Sequence, residues 1–147
     1  MSNPGFYYFG LMKYLLAFLL CPLLSFSQSK KDTKIIVSLS DTNSIVNRVS
    51  TAFHERGYSL ENKEGDFVST KEKSIKAGFP TAVKLRAFLS GNTLTFTGEY
   101  KVDVAVMGQP PTWDQISFTG FKGSAAKLSW EEMDKIARNF GTVSYSK

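Results

Sequence analysis

Apolar and polar residues alternate along this chain in distinct rhythms, and each rhythm predicts an element. Phe6 to Phe26 is a nearly unbroken apolar block with one charge, Lys13. Two later segments space their apolar residues by three and four. Ile45, Val46, Val49, Ala52 and Phe53 form one helical stripe, and Trp130, Met133, Ile136, Ala137 and Phe140 form another. Between them, Leu94, Phe96, Tyr100, Val102, Val104 and Val106 alternate with Thr93, Thr95, Thr97, Glu99, Lys101 and Asp103. Strict period-two alternation predicts an antiparallel strand from Thr93 to Met107 with one face buried and one wet. Gly98 falls in the buried register and marks a bulge or a close backbone approach.

Turn and cap residues punctuate the rest. Lys34 to Leu39 is rich in β-branched residues and predicts a first strand. Ser40, Asp41 and Thr42 are good caps for the first helix, and Gly57 supplies the left-handed residue that ends it. Tyr58 to Glu61 and Asp66 to Lys73 predict a hairpin around Asn62 to Gly65. Ala82 to Leu89 pairs with the long strand across Ser90-Gly91-Asn92. Pro110 and Pro111 make Gly108 to Asp114 a loop, and Gln115 to Thr119 is a short last strand. Ser129 and Glu132 have the spacing of a capping box for the final helix, which Gly141 closes. The order is β-α-β-β-β-β-β-α. It predicts an α+β two-layer sandwich, an antiparallel sheet of about five strands with two helices on one face.

The leading block changes where this domain is expected to work. Lys13, the apolar run Tyr14 to Leu24 and the small residues Ser25 and Ser27 read as a signal peptide over residues 1–27, cut before Gln28. Met12 is an alternative start. An uncleaved anchor should carry its positive charge on the other flank, whereas Lys30, Lys31 and Lys34 follow the block. A lipid anchor at Cys21 would want small residues before it, and Phe18, Leu19 and Leu20 stand there instead. The chain is therefore expected to be exported, periplasmic or secreted, with membrane attachment only through an uncleaved leader. Residues 28–33 read as a flexible tether and 34–147 as one domain. Cys21 is the only cysteine, so the mature domain is expected to have neither disulfides nor thiol chemistry.

Composition narrows the chemistry. The 18 Lys and Arg against 13 Asp and Glu are interspersed. Clustered basic residues, which nucleic-acid binding needs, are missing. His54 is the only histidine, sits off the helical stripe and reads as a surface residue. A catalytic triad or a zinc site needs more partners than one histidine offers. Glu99 and Asp103 share a strand face about 13 Å apart, too far for paired glycosidase carboxylates. Lys101 between them suggests a charge ladder. Glu61, Glu64 and Asp66 cluster at a turn but lack the ligand spacing of an EF-hand. Gly120 and Gly123 lack the residues of a phosphate loop. No enzyme, cofactor or metal is expected. What remains is aromatic: Trp113 in the Pro-rich loop, Phe79 in another, and Phe88, out of phase with Val83, Leu85 and Leu89 and so on the wet face beside Lys84 and Arg86. These three are the candidate partner contacts.

Several stretches carry a resemblance. Ser25 to Ser29 (SFSQS), His54 to Glu61 (HERGYSLE), Phe118 to Ser124 (FTGFKGS) and Trp130 to Met133 (WEEM) resemble small uncharacterised exported proteins of Bacteroidota, over most of residues 28–147. The resemblance implies export and carries no activity with it. The layout is also similar to cystatin-like inhibitors, with Pro111-Thr112-Trp113 standing near their wedge loop. Their Gln-x-Val-x-Gly hairpin is missing and the terminal helix is extra. The expected function is a non-enzymatic binding or assembly module meeting a protein or glycan of the cell envelope. The alternatives are a carrier of a small apolar ligand, lined by Phe96, Tyr100 and Phe140, and a protease-inhibitor-like module.

Overall fold

The computed structural model describes residues 28–104 and 110–147. The leader, Cys21 and the residues before the expected cut lie outside the described residues. So does 105–109, the far end of the strand expected to reach Met107.

The chain builds an antiparallel sheet around one long hairpin. β5 (Pro80–Ser90) and β6 (Thr93–Val102) pair in register from Thr81↔Val102 to Ser90↔Thr93. Every other strand adds to this pair. On the free side of β5 lie β3 (Phe67–Thr70), flanked in turn by β2 (Leu60–Glu64), and, further along, β4 (Lys73–Lys76). On the free side of β6 lie β1 (Lys34–Ser38), flanked by β8 (Thr142–Ser146), and then the short β7 (Asp114–Gln115). The helices α1 (Ile45–Glu55) and α2 (Ala125–Ala137) cover one face. Their stripes bury Ile45, Val49, Phe53, Met133 and Ile136 against Ile35, Val37, Val83, Leu85, Leu94 and Phe96. This is the two-layer α+β sandwich that the rhythms predict. Burying each such side chain contributes about 1.5–3 kcal/mol, so the core dominates stability.

Aromatic rings tie the layers together. Phe96 lies edge-on to Phe53 at 6.3 Å and beside Phe140 at 5.9 Å. Under α2, Trp130 packs between Phe118 and Tyr145, each at 5.8 Å. Tyr145 also donates to Asp134 and accepts from Arg138, fastening β8 to the end of α2.

Among the described residues the sheet has eight strands where about five were expected. β8 escapes the sequence pattern because TVSYS is half-buried, short and neutral, with no turn signal that separates it from the preceding helix end. The expected strand from Asp66 to Lys73 divides into β3 and β4 at Lys71 and Glu72, where the Lys71 N–H turns aside to the Ser59 carbonyl. β6 stops at Val102, where Asp103 donates back to Pro80. The last short strand is only Asp114–Gln115, not Gln115 to Thr119.

Caps differ too. Helix α2 starts a turn earlier than the Ser129/Glu132 capping box implies. Ser124 is the cap, its hydroxyl accepting from the Lys127 N–H at 3.3 Å. Gly123, with φ +87°, turns the chain into that position. Ser129 instead lies buried inside the helix, and Glu132 ion-pairs elsewhere. At α1, Asp41 accepts from Asn43, and Ser44 precedes the helix with a left-handed backbone and no side-chain cap. The stretch expected to be a loose tether is tied down at its end. Asp32 is buried, accepts from the Ser29 N–H and offers its carbonyl to Phe118.

Gly98 is the close approach that its buried register implied. A Cβ there would lie 2.7 Å from the Ile116 Cδ1 and 2.7 Å from the Lys84 carbonyl oxygen. Ile116, fully buried, fills the space that a side chain would need, and its N–H donates to the Gly98 carbonyl. Gly98→Ala should therefore cost at least about 2 kcal/mol, as overpacking does. Adding Ile116→Val should recover only part of the loss, because the Lys84 carbonyl stays in place. Urea denaturation of the single and double variants measures both.

Candidate functional site

Among the described residues the face of the sheet opposite the helices is open, and the ladder registers set what it presents. One row crosses six strands: Glu64, Phe67, Phe88, Thr95, Ile36 and Ser144 stand opposite one another in succession. Three of the six are large apolar side chains. Phe88 is 51% exposed, and Phe67 and Ile36 are half-buried. Such pairs support the sheet by fractions of a kcal/mol each. Solvating them has no structural benefit, so the row is an apolar feature of this face that folding does not account for. Beside it runs a polar row with Ser69, Arg86 and Thr97. Arg86 and Thr97, with Lys34, border a shallow groove of about 380 Å³.

Charges sit further along the same face. Arg86 grips Glu99 with two hydrogen bonds, at 2.9 and 3.2 Å. Lys101 approaches Asp103 at 3.9 Å and Glu72 at 4.0 Å. The expected charge ladder on β6 is thus engaged by Arg86 across the β5–β6 pair and by Glu72 and Asp103 around Lys101. Exposed pairs of this kind contribute little to stability.

Trp113 does not project from its loop. It precedes β7, so the pairing Tyr100↔Asp114 brings it beside Lys101. Its ring lies 4.7 Å from the Lys84 Nζ and 5.2 Å from the Lys101 Nζ, and it is half-buried. Both contacts are cation–π attractions. Trp113 and Phe88 therefore share the open face, separated along β5 by Arg86 and Lys84. Phe79 does not join them. It is 62% exposed just before β5 begins, nine residues and roughly 30 Å of strand from Phe88.

Sequence reasoning missed Phe67 and Ile36. The test that singles out Phe88, an apolar residue out of phase with its strand, also singles out Ile36 between Ile35 and Val37. Phe67 has no such signal, since only the β3–β5 register sets it beside Phe88.

A second polar cluster lies where β4 meets both helices. Glu132 on α2 bridges Lys73 at 3.2 Å and Arg56 at 3.8 Å. The Lys73 ammonium also donates to the Arg56 carbonyl and stands 4.4 Å from the Tyr58 ring centre. Tyr58 is buried, and its hydroxyl has no hydrogen-bond partner among the described residues. Burial, with the Glu132 charge added, pushes this hydroxyl far above its ordinary value of 10.0, while Arg56 opposes the shift. A proton held that tightly is not available for acid–base work at neutral pH. His54 is exposed on α1. Among the described residues, no three or more His, Cys, Asp or Glu lie grouped as a metal ion would require.

Tyr58 makes a pH prediction with a definite sign. The folded chain keeps the phenolic proton above pH 10 while the unfolded chain releases it. Tyr58 therefore takes stability away as pH rises beyond 10 and has no such effect below. Tyr58→Phe removes an unpartnered buried hydroxyl. It should match or exceed the parent by about 1 kcal/mol at pH 8, and the gap should widen at pH 11. Urea titrations of both proteins at the two pH values measure this.

The chain matches no protein-family model, and no curated protein matches it.

Proposed function

We propose that this chain is an exported, non-catalytic binding or assembly module that meets a protein or glycan of the cell envelope through the open face of its sheet. One observation carries the reading: Phe88, half exposed, stands in register with Phe67 and Ile36 on a face that neither α1 nor α2 covers. An exposed Phe88 beside half-buried Phe67, with Ile36 across Thr95 and Arg86 and Lys34 around them, has the composition of an interface centre with a polar rim. Trp113, flanked by two lysines, extends the row's reach toward β7. The export signal read in residues 1–27 and the resemblance to exported Bacteroidota proteins support the compartment.

The geometry favours this reading over the two alternatives. Phe96 and Phe140, expected to line an apolar cavity, pack against each other instead. The Pro111-Thr112-Trp113 segment turns its indole onto the sheet, which is the wrong direction for a wedge entering a protease cleft.

The test is capture from an envelope fraction with the immobilised full chain. Phe88→Ala and Trp113→Ala should each deplete a captured partner several-fold, with Phe88→Ala the stronger. Phe79→Ala should leave capture unchanged. Equal recovery with all three variants would remove the open face from the proposal.

A further inference from the structure

The polar cluster beside β4 opens into a groove that the binding row does not use. Its floor runs between one strand and one helix. All four residues of β4, Lys73 to Lys76, line one wall. Leu128, Glu131, Glu132 and Lys135 of α2 line the other, one stripe at helical spacing. The space is about 320 Å³.

β4 is bonded on one side only. Among the described residues it pairs with β5 and with no other strand. The hydrogen bonds of β5 show which groups are spent. The Leu85 N–H goes to the Thr70 hydroxyl and the Leu89 N–H to the Asp66 carbonyl, so odd positions of β5 turn toward β3 and β4. The Pro80 carbonyl accepts from Asp103, so even positions turn toward β6. With Lys73↔Val83 and Ile75↔Thr81 in register, Lys73 and Ile75 bond inward to β5. The N–H and C=O groups of Ser74 and Lys76 then point out from the sheet. None of them makes a backbone or side-chain bond among the described residues, and both residues are exposed.

An unpaired strand edge beside a helix is the geometry that receives an extended peptide as an added strand. The side chains around it select by charge. Lys73, Lys76 and Lys135 line the groove with Glu131 and Glu132, and Arg56 stands beside Glu132. Glu132 is already engaged by Lys73 and Arg56. Lys76 and Lys135 make no ion pair among the described residues. Ile75 and Leu128, both half-buried, supply an apolar floor. From the free edge and this excess of cations, we infer that the β4–α2 groove binds an extended acidic peptide segment by adding it as a strand to β4. The groove lies apart from the open-face row, so this inference and the proposed function fail independently.

The experiment uses the full chain and two labelled octapeptides. One alternates glutamate with valine and threonine; the other carries lysine in place of glutamate. The glutamate peptide should raise fluorescence anisotropy and slow hydrogen exchange at the Ser74 and Lys76 amides. The lysine peptide should bind at least tenfold more weakly. Ser74→Pro removes an outward N–H without touching the ladder to β5, as an edge strand tolerates. It should weaken the glutamate peptide at least tenfold while leaving the circular dichroism spectrum intact. Lys135→Glu, an exposed helix position, should weaken it several-fold and serves if the proline variant does not fold. Failure of the glutamate peptide to bind, equal binding of both peptides, full binding by a folded Ser74→Pro variant, or undiminished binding by Lys135→Glu would overturn the inference.

Discussion

The β5–β6 hairpin is the constraint on which the rest of the molecule depends. Its register places Val83, Leu85, Ala87, Leu94 and Phe96 on one face and Lys84, Arg86, Phe88, Thr95 and Thr97 on the other. A slip of one residue would exchange the two sets, burying charges and exposing the core. Both outer edges of the hairpin then serve as templates. β3 and β4 add to β5, while β1 and β7 add to β6. Because each added strand copies the same facing, one decision about register separates a helix-covered core from an open surface across the whole sheet.

Gly98 shows how tight that arrangement is. It occupies an inward position with no side chain, and Ile116 from the β7 segment occupies the room. The same segment carries Trp113 to the opposite face, beside Lys101. A residue whose absence of side chain permits one inward contact thereby also fixes an outward one. The apolar row of Phe67, Phe88 and Ile36 is different in kind, since it arises from side chains that contribute little to folding where they stand.

Polar links hold the two helices to opposite ends of the sheet. Glu132 gathers Lys73 and Arg56 where α2, β4 and the end of α1 meet. Asp134 gathers Arg138 and Tyr145 where α2 meets β8. The first link is the more consequential. It leaves Tyr58 sealed beneath Lys73, its hydroxyl unpartnered among the described residues, and it engages one of the two carboxylates, Glu132, that line the β4 groove.

The sequence alone determined the layers. Helical stripes at Ile45–Phe53 and at Trp130–Ala137 and alternation in Thr93–Val102 follow from local spacing, and they specify two helices on one face of an antiparallel sheet. It also marked Phe88, because a phase error within one strand is visible without knowing the neighbour. Tertiary structure decided what depends on pairing between distant segments. β8 exists because Ile35 to Ser38 offers an edge to a short neutral stretch a hundred residues away. Trp113 lies beside Lys101 because β7 pairs with β6, and Phe67 joins Phe88 because β3 pairs with β5. Phe79 stayed apart for the same reason: side chains similar in sequence context are held at opposite ends of one strand, and only the ladder sets that distance.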